Sequence, residues 1–401
     1  MTKVAHITTI DMSLRYLLLN QLRSLQDAGY DVVGISSPGP DVPAIEAAGI
    51  RHIPVPMTRR ALTPLADVRS VRHLHRILRR ERFSIVHTHT LRAGLLGRWA
   101  ATWARVPVIV HTNHGFIFNE RSPRLWRYFF ITLEKMAAQC SDLSFSVNHE
   151  DVETAIREGI GDPTNIMPLG NGGIGIDITR FDPRRFSADG VIQKRLAVGL
   201  PEGVKVVGFV GRLVREKGLL ELFEAIRIVR ERGKDVRLLI IGPVDSAKPD
   251  ALTPDVASHY GLSDICIFTG MRQDMPELYA LMDVFVLPSY REGFPLSPME
   301  ASAMSVPCVV TDIRGCREAV EHGRNGLLVP PGDVQSLADA MIELLTDREK
   351  ARRMGEEGRR IALDRFDERL VFEKVKAEYA RLLREKGLPV PEPRPVMEAA
   401  F

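Results

Sequence analysis

The chain contains 401 residues, of which 45% are hydrophobic and 26% charged, and its formal net charge is +3. A chain of this length is too long for a single hydrophobic core, which predicts two domains of roughly 150 to 200 residues. The composition excludes a disordered or fibrous protein, and no run approaches the ~18 uninterrupted apolar residues of a membrane span. The first residues lack the apolar core of a signal peptide, and the four cysteines include no Cys-x-x-Cys pair, which argues against a zinc site and a disulfide framework. We therefore expect a cytoplasmic protein.

Positive charge is concentrated in the first half of the chain. Residues 1–180 carry 21 Lys and Arg against 16 Asp and Glu, whereas the remaining residues carry 33 against 35. Within the first half, residues 51–127 contain 15 arginines and only three acids. This stretch is a candidate docking face for an anionic partner.

Strand-like and helix-like runs alternate along the chain. In the first half, strands are predicted at 4–10, 31–36, 84–89, 106–112 and 143–147, and helices at 14–28, 65–81, 91–104, 122–139 and 149–159. After a glycine-rich loop the pattern restarts, with strands at 205–211, 236–242, 265–269, 284–287 and 307–311 and helices at 333–346, 348–363 and 367–386. This alternation predicts an α/β protein with two Rossmann-like doubly wound domains, at 1–170 and 180–365, facing each other across a cleft. The tail at 387–401 should be loose.

The segment after the first strand argues against a nicotinamide enzyme. Thr8-Thr-Ile-Asp-Met-Ser-Leu-Arg15 stands where a dehydrogenase would carry Gly-x-Gly-x-x-Gly. We therefore expect the two Rossmann-like domains to serve another function.

Two carboxylates follow the predicted strand at 284–287. Glu292 lies in a loop, and Glu300 lies about one turn into a helix that begins near Ser297. The Gly293-Phe-Pro turn leaves backbone N–H groups that, with the helix dipole, point at an anion beyond the strand. Carboxylates accept hydrogen bonds from sugar hydroxyls and do not bind phosphate directly. The pattern predicts a ligand with a diphosphate between hydroxyl-bearing groups, such as a nucleotide sugar, although a proline-rich turn with solvated acids is the simpler alternative.

Two cations, Arg212 and Lys217, flank the predicted strand-to-helix loop of the second domain. Their charges, added to a helix N-terminus, would neutralise a diphosphate and stabilise it as a leaving group. A charged surface turn is the alternative interpretation.

Histidines end two neighbouring predicted strands of the first domain. His87 and His89 end one strand, and His111 and His114 lie at the end of the next, with Gly115 allowing close approach of a ligand. Neutral histidines there can hydrogen-bond a substrate hydroxyl. We expect no metal site, because two residues two apart on a strand share a face without a third ligand. For any single histidine, a structural role is the alternative.

Two further features concern motion and membranes. The glycine-rich junction at 171–172 and 177–181 is suited either to a hinge or to an ordinary linker.

The helix at 65–81 has an apolar face with Val68, Val71, Leu74, Ile77 and Leu78 and an arginine face with Arg69, Arg72, Arg76, Arg79 and Arg80. A second helix places Arg121, Arg124 and Arg127 near Trp126, Tyr128, Phe129 and Phe130. These helices either contact anionic lipid headgroups or are simply solvated.

Taken together, these motifs resemble the retaining nucleotide-sugar glycosyltransferases of family 4, which have the GT-B fold. The resemblance covers nearly the whole chain and rests on His114-Gly-Phe, Asn171-Gly, Gly211-Arg-Leu with Glu216-Lys-Gly, the Glu292/Glu300 pair and Asn325-Gly-Leu-Leu-Val-Pro-Pro331. The chain departs from many relatives at Asp11-Met-Ser-Leu-Arg15, which replaces a Gly-Gly loop, and at the extra residues 173–176.

The resemblance implies a role for each matching residue. Arg212 and Lys217, with Gly211 beside them, would hold the donor diphosphate, Glu292 the hydroxyls of the transferred sugar and Glu300 the ribose. His114 would contact the sugar near the reacting carbon. The remaining implied contacts are backbone groups of Gly293, Phe294, Pro295 and Leu296 with sugar and phosphate, and Met271 and Arg272 with the base. The family needs no divalent metal, and the helix at 367–386 would cross back onto the first domain.

The function expected on this basis is transfer of a sugar, with retention, from a UDP-sugar to an acceptor hydroxyl. The basic first domain favours an acceptor carried on a polyprenyl diphosphate at the inner face of the membrane, without nucleic acid or a cofactor. A soluble small-molecule acceptor, a nucleotide-sugar epimerase of similar fold and a non-catalytic binding module remain alternatives.

Overall fold

The computed structural model describes residues 2–58, 63–118, 122–246 and 248–393. The chain divides into two compact units. The first unit contains residues 1–174 and 369–401, and the second contains residues 175–368.

The described part of the first unit contains a seven-stranded parallel sheet in the order β3-β2-β1-β4-β5-β6-β7. Its strands are β1 Lys3–Ile10, β2 Asp31–Ser37, β3 Arg51–Pro54, β4 Ile85–His89, β5 Val108–Asn113, β6 Leu143–Ser146 and β7 Ile166–Pro168. Its helices before the junction are α1 Asp11–Ser13, α2 Leu19–Asp27, α3 Val42–Ala47, α4 Pro64–Glu81, α5 Leu91–Trp103, α6 Arg124–Ala138 and α7 His149–Arg157. The order of strands reverses between β1 and β4, and open parallel sheets bind ligands beyond the carboxyl ends of such neighbours.

The described part of the second unit contains a six-stranded parallel sheet in the order β10-β9-β8-β11-β12-β13. Its strands are β8 Lys205–Val210, β9 Val236–Ile241, β10 Cys266–Phe268, β11 Val284–Leu287, β12 Cys308–Thr311 and β13 Gly326–Val329. The helices that follow the junction are α8 Ala188–Ala197, α9 Leu219–Glu231, α10 Val256–His259, α11 Met275–Tyr279, α12 Leu296–Ala303, α13 Cys316–Ala319, α14 Val334–Thr346, α15 Arg348–Arg365 and α16 Glu368–Glu385. Here the strand order reverses between β8 and β11.

Both sheets are covered by helices, which confirms the predicted α/β class with two Rossmann-like domains. In β11 all four residues are buried, since helices cover both faces of a parallel sheet. Helix α16 belongs to the first unit from Arg369 onward. Its buried side chains recur every three or four residues along one face of the helix.

Three strands were not predicted from the sequence, and each of them is short and lies at a sheet edge. β3, β7 and β13 have three or four residues each and are the outermost strands at three of the four sheet edges. The two-residue alternation that identifies a strand cannot be recognised over so short a run.

The segment after β1 is helical, which corrects the expectation of a loop at Asp11 to Arg15. Helix α1 begins at Asp11, and a π-helical turn spans Leu14–Leu18. The buried Asp11 carboxylate accepts the backbone N–H groups of Met12 at 3.0 Å and Asp41 at 2.8 Å. Asp11 therefore ties the start of α1 to the neighbouring β2–α3 connection.

The tail does not separate from the protein at Gly387. Thr2 donates a hydrogen bond to the carbonyl of Pro389 at 2.9 Å, and Leu388 N–H donates to the carbonyl of Leu383 at 2.8 Å. The part of the predicted loose tail at 394–401 lies outside the described residues.

Candidate active site

The candidate site of the second unit forms where β8 and β11 end. The chain leaves β8 through Gly211 and Arg212, makes a 3-10 turn at Arg215–Lys217 and enters α9. It leaves β11 through the loop at 288–295 and enters α12. The first N–H groups of α9 and α12 are not capped by any described side chain, so both helix ends can bind an anion.

Lys217 and Glu292 are direct partners. Nζ of Lys217 lies 2.5 Å from Oε1 of Glu292, which also accepts a hydrogen bond from Oγ of Ser289 at 2.6 Å. Both charged side chains are largely buried, with 17% and 9% of their surface exposed. The sequence predicts both residues in the site but not their contact. In this arrangement the carboxylate is the counter-ion of Lys217.

Arg212 has a carboxylate partner that the sequence analysis missed. Its Nη1 lies 2.6 Å from Oδ2 of Asp245, and the arginine side chain is 36% exposed. Asp245 follows the end of β9 in Gly242-Pro-Val-Asp245. Its position just beyond a strand of the same sheet is the signal by which the sequence could have predicted it as a site residue. The pairing orients a guanidinium that remains accessible.

Two glycines allow the site loops to pack backbone against backbone. Gly218 has φ +73°, and a β-carbon there would lie 2.0 Å from the carbonyl oxygen of Pro288. Gly315 has φ +81°, and a β-carbon there would lie 2.1 Å from the carbonyl oxygen of Gly293. Any other residue would displace the loop that carries Glu292. The sequence analysis missed Gly315, which contacts this loop from the β12–α13 connection.

Glu300 lies in the second turn of α12, and its carboxylate contacts Tyr279, which the sequence did not predict in the site. The hydroxyl of Tyr279, at the end of α11, donates to Oε2 of Glu300 at 2.8 Å. The dense surroundings raise the pKa of Glu300 by desolvation, although the side chain is partly exposed. Glu300 is therefore neither fully solvated nor closed to a ligand.

The loop after β10 contains the predicted base contacts. Met271 is 48% exposed, and Nε of Arg272 donates to Oδ1 of Asp274 at 2.8 Å. Arg180, which the sequence analysis did not select, donates to the carbonyl of Gln273 at 2.6 Å. This bond fixes the Met271 loop to the start of the second unit.

The other predicted binding residues lie at the entrance to α12. Gly293, Phe294 and Pro295 precede the helix, and Leu296 is its first residue. The ring centroid of Phe294 lies 6.2 Å from that of Phe366, which anchors this entrance to the core.

His114 ends a hydrogen-bonded row of histidines in the first unit. Its Nε2 lies 3.3 Å from Nδ1 of His89, whose Nε2 lies 3.0 Å from Nδ1 of His6. Desolvation lowers the pKa of His114 to about 4 and of His6 to about 3, so both rings are neutral at pH 7. His6 was missed, because one histidine inside a strand is typical of a core position.

The row continues through the last helix. The hydroxyl of Tyr379 in α16 lies 3.3 Å from Nε2 of His6 and 2.7 Å from Nδ1 of His87. Nε2 of His87 lies 2.7 Å from Oγ1 of Thr112. His111 stands apart from this row, with its Nδ1 3.0 Å from Oγ1 of Thr88.

A third imidazole accompanies His87 and His89, so the argument that no third metal ligand lies nearby is wrong. His6, His87 and His89 have ring nitrogens within 4.8 Å of one another. All six ring nitrogens of these residues nevertheless have hydrogen-bond partners. Each of these nitrogens is therefore engaged in a hydrogen bond.

The basic helices expose both charge and apolar surface. The five arginines of α4 are exposed, while Val71, Leu74, Ile77 and Leu78 are buried. Val68 is 49% exposed and does not belong to the buried face. Arg124 begins α6, and Arg121 lies outside the described residues. No helix in the described part of the chain combines the length and hydropathy required to cross a membrane.

The structure therefore has two parallel sheets in Rossmann order, as in the GT-B fold, and in the second unit loops beyond the strands hold cations and carboxylates. A solved structure of Anabaena HepE in complex with UDP-glucose shares this fold, with a TM-score of 0.79, 20% identity and coverage of 95% of this chain and 100% of that one. The family model for glycosyl transferases group 1 matches residues 192–361, and the model for the glycosyl transferase 4-like domain matches residues 15–172.

Two curated relatives extend along most of the chain. The UDP-Gal:alpha-D-GlcNAc-diphosphoundecaprenol alpha-1,3-galactosyltransferase of Escherichia coli is 30% identical over 86% of this chain and 88% of its own length. The capsular polysaccharide biosynthesis glycosyltransferase CapM of Staphylococcus aureus is 27% identical over 96% of this chain and 98% of its own. The chain therefore belongs to the group 1, family 4-type glycosyltransferases.

Proposed function

We propose that the protein transfers a sugar from a UDP-sugar to a hydroxyl of a saccharide carried on a polyprenyl diphosphate, with retention of anomeric configuration. The observation that carries this proposal is the position of Arg212, Lys217 and Glu292 beyond β8 and β11. Nucleotides bind at this reversal of strand order in open parallel sheets. The family supplies the expectation of retention.

Stabilisation of the leaving diphosphate would be the main catalytic contribution. The bond between the anomeric carbon and a diphosphate oxygen breaks, while the acceptor oxygen forms a bond to the same face of that carbon. The acceptor proton passes to the departing diphosphate. Arg212 would bind the phosphates with its planar fork and Lys217 with a point charge. We propose that these two cations suffice, so that activity persists in a metal chelator.

The other residues would orient the donor. Glu292 would accept hydrogen bonds from the sugar hydroxyls and Glu300 from the ribose, while backbone groups of residues 293–296 bind sugar and phosphate. The exposed loop at 271–272 would contact the base. In the first unit His114 would contact the transferred sugar as a neutral hydrogen-bonding group. Glu292 acts here by orientation and not as a nucleophile.

The polyprenyl acceptor is supported by a relative and by surface charge. The Escherichia coli relative is named for an acceptor on diphosphoundecaprenol. In this chain the arginines of α4 are exposed along one side of an 18-residue helix. Such a side attracts anionic lipid headgroups. We therefore propose that the protein works at the inner face of the cell membrane, in surface polysaccharide assembly.

Substitution of Lys217 tests the assignment of the donor site. We expect Lys217→Ala to reduce turnover by ~10²-fold or more, because a preorganised charge on the leaving group is lost. Lys205→Ala is the matched control, since Lys205 forms an ion pair with Asp283 at the opposite end of β8. Turnover in both variants is measured as acceptor-dependent release of UDP. Near-normal turnover of Lys217→Ala would refute the assignment.

Liposome flotation tests the membrane contact. We expect the protein to float with vesicles that contain anionic lipid and to remain behind with neutral vesicles, because the interaction depends on arginine charge. A variant in which Arg72, Arg76 and Arg79 become Gln should lose flotation while it keeps the helix. Equal flotation with neutral vesicles would contradict a contact made by arginine charge, and no flotation with either kind of vesicle would favour a soluble acceptor.

A further inference from the structure

A cavity of about 400 Å³ lies in the first unit, at the carboxyl edge of its sheet. Thr9 and Ile10 at the end of β1 and Thr90 directly after β4 form one side of the cavity. The order of strands reverses between these two strands, which is the usual position of a ligand site in such sheets. The volume falls within the roughly 300 to 1,000 Å³ of small-molecule sites.

The other walls of this cavity are mostly apolar. They include Leu95 of α5 and Phe129 and Leu133 of α6. Among the described residues, the charged side chains at the cavity are Arg92 and Asp67, and Nε of Arg92 lies 3.1 Å from Oδ1 of Asp67. Their charges neutralise each other. Walls of this kind favour a branched hydrocarbon over a sugar or a nucleotide, whose polar groups would lose hydrogen bonds on burial.

The surface around α6 is suited to a lipid that arrives from a membrane. Leu125 and Tyr128 on α6 are 87% and 72% exposed, and Phe129, which lines the cavity, is 39% exposed. Exposed apolar side chains on a helix mark contact with a lipid or a partner. The arginines of α4 provide the accompanying positive charge, which is complementary to an anionic lipid.

The cavity wall and the row of histidines are adjacent along the chain. Thr90 follows His89, and Nδ1 of His89 lies 3.3 Å from Nε2 of His114. A lipid chain in the cavity and a polar group at His114 would therefore lie at ends of neighbouring strands. An acceptor in which a diphosphate joins a saccharide to an isoprenoid would place its hydrocarbon in the cavity and its saccharide toward His114.

We propose that this cavity binds the isoprenoid units next to the diphosphate of the acceptor. This inference rests on the proposed function, because that function supplies the class of acceptor. The cavity would select against acceptors that lack the hydrocarbon chain and would hold the lipid while its saccharide reacts.

Calorimetry on the full chain without donor tests this inference. The probes are farnesyl diphosphate, which has an isoprenoid chain, and methyl diphosphate, which has the charged group alone. We expect farnesyl diphosphate to bind more tightly, with a negative heat-capacity change from apolar burial. Leu95→Trp, which fills the cavity, should weaken binding of farnesyl diphosphate by about tenfold or more, since several methylene groups are excluded from the site. Binding of methyl diphosphate should not change.

Leu370→Trp is the matched control, because Leu370 is 53% exposed on α16 and does not line the cavity. Leu133→Gln makes the cavity polar without filling it and should also weaken farnesyl diphosphate binding, which provides a second variant if Leu95→Trp does not fold. Equal binding of the two probes to the wild type, or unchanged farnesyl diphosphate binding in both cavity variants, would overturn the inference. Tight isoprenoid binding without sugar transfer from any donor would support the cavity and refute the proposed function.

Discussion

At the scale of single residues, the contact between Lys217 and Glu292 has a consequence for the donor. The carboxylate lies 2.5 Å from the ammonium group that would bind the diphosphate. If the proposed function holds, the two anions would compete for one cation, and Glu292 would contribute when a sugar is present to donate hydrogen bonds to it. Free UDP and the UDP-sugar should respond differently to the loss of this carboxylate.

We predict that Glu292→Gln binds free UDP several-fold more tightly than the wild type and transfers sugar more slowly. Removal of a negative charge next to the phosphate site favours the anion by roughly 1 kcal/mol or more at the effective dielectric of a protein surface. Affinity is measured by calorimetry and transfer by product formation. Glu231→Gln carries the same charge change at the far end of α9, where the side chain is 64% exposed, and should leave both quantities unchanged. Weaker UDP binding by Glu292→Gln would show that the carboxylate does not compete with the diphosphate.

At the scale of secondary-structure elements, α16 contributes a polar group to the core of the first unit. The Tyr379 hydroxyl lies between ring nitrogens of His6 and His87. The ring of Tyr379 also packs edge-on against Tyr30, with centroids 5.9 Å apart. The helix therefore completes the histidine row as well as the hydrophobic packing.

We predict that Tyr379→Phe lowers the free energy of unfolding by about 1 to 3 kcal/mol, because buried ring nitrogens lose a partner. The effect is measured by denaturant unfolding at pH 7. Tyr30→Phe removes a hydroxyl that has no hydrogen-bond partner among the described residues, and it should change stability by less than about 0.5 kcal/mol. Equal effects of the two substitutions would contradict a specific role for the hydroxyl of Tyr379.

Sequence patterns predict the long elements better than the contacts between them. The apolar run at 284–287 and the apolar faces of α4 and α16 predict buried elements, because hydrophobic spacing is a local property. The Lys217–Glu292 pair joins residues 75 positions apart, and the sequence predicts both members without indicating that they meet.

The same limit explains the residues that were missed. His6 acquires its meaning from the register that places it opposite His87 in the neighbouring strand. Gly315 and Asp245 contact the site from connections after other strands of the second sheet. Their positions depend on strand order, which is a property of the folded sheet and not of any local segment.

At the scale of the whole molecule, the two units should differ in their sensitivity to acid. Burial holds the pKa of His6, His87, His89, His111 and His114 below the ordinary value of 6.5. The stabilising contribution of such groups is complete above pH 6.5 and is lost as the pH falls toward their folded-state pKa values. In that interval the protonation of each histidine lowers the free energy of unfolding by up to ~1.4 kcal/mol per pH unit. The second unit contains only two histidines, His259 and His322.

We therefore predict that the first unit opens before the second when the pH is lowered from 7 to 5. Hydrogen exchange followed by mass spectrometry measures this for peptides of each unit, after correction for the intrinsic effect of pH. Protection of backbone amides should fall in β1, β4 and β5, which contain or directly precede these histidines. The amides of β8, β9 and β11 should keep their protection. Equal losses in the two sheets would contradict the role assigned to the buried histidines.

The most direct test of the account is an assay of the purified protein with a panel of nucleoside diphosphate sugars and a membrane lipid extract. The product is analysed by mass spectrometry, and its linkage by nuclear magnetic resonance. We predict release of the nucleoside diphosphate only when lipid acceptor is present, a glycolipid heavier by one sugar with the anomeric configuration of the donor, and loss of this product in Lys217→Ala. Conversion of the donor to an epimer without acceptor, or donor binding without product across the whole panel, would contradict glycosyl transfer as the activity of this chain.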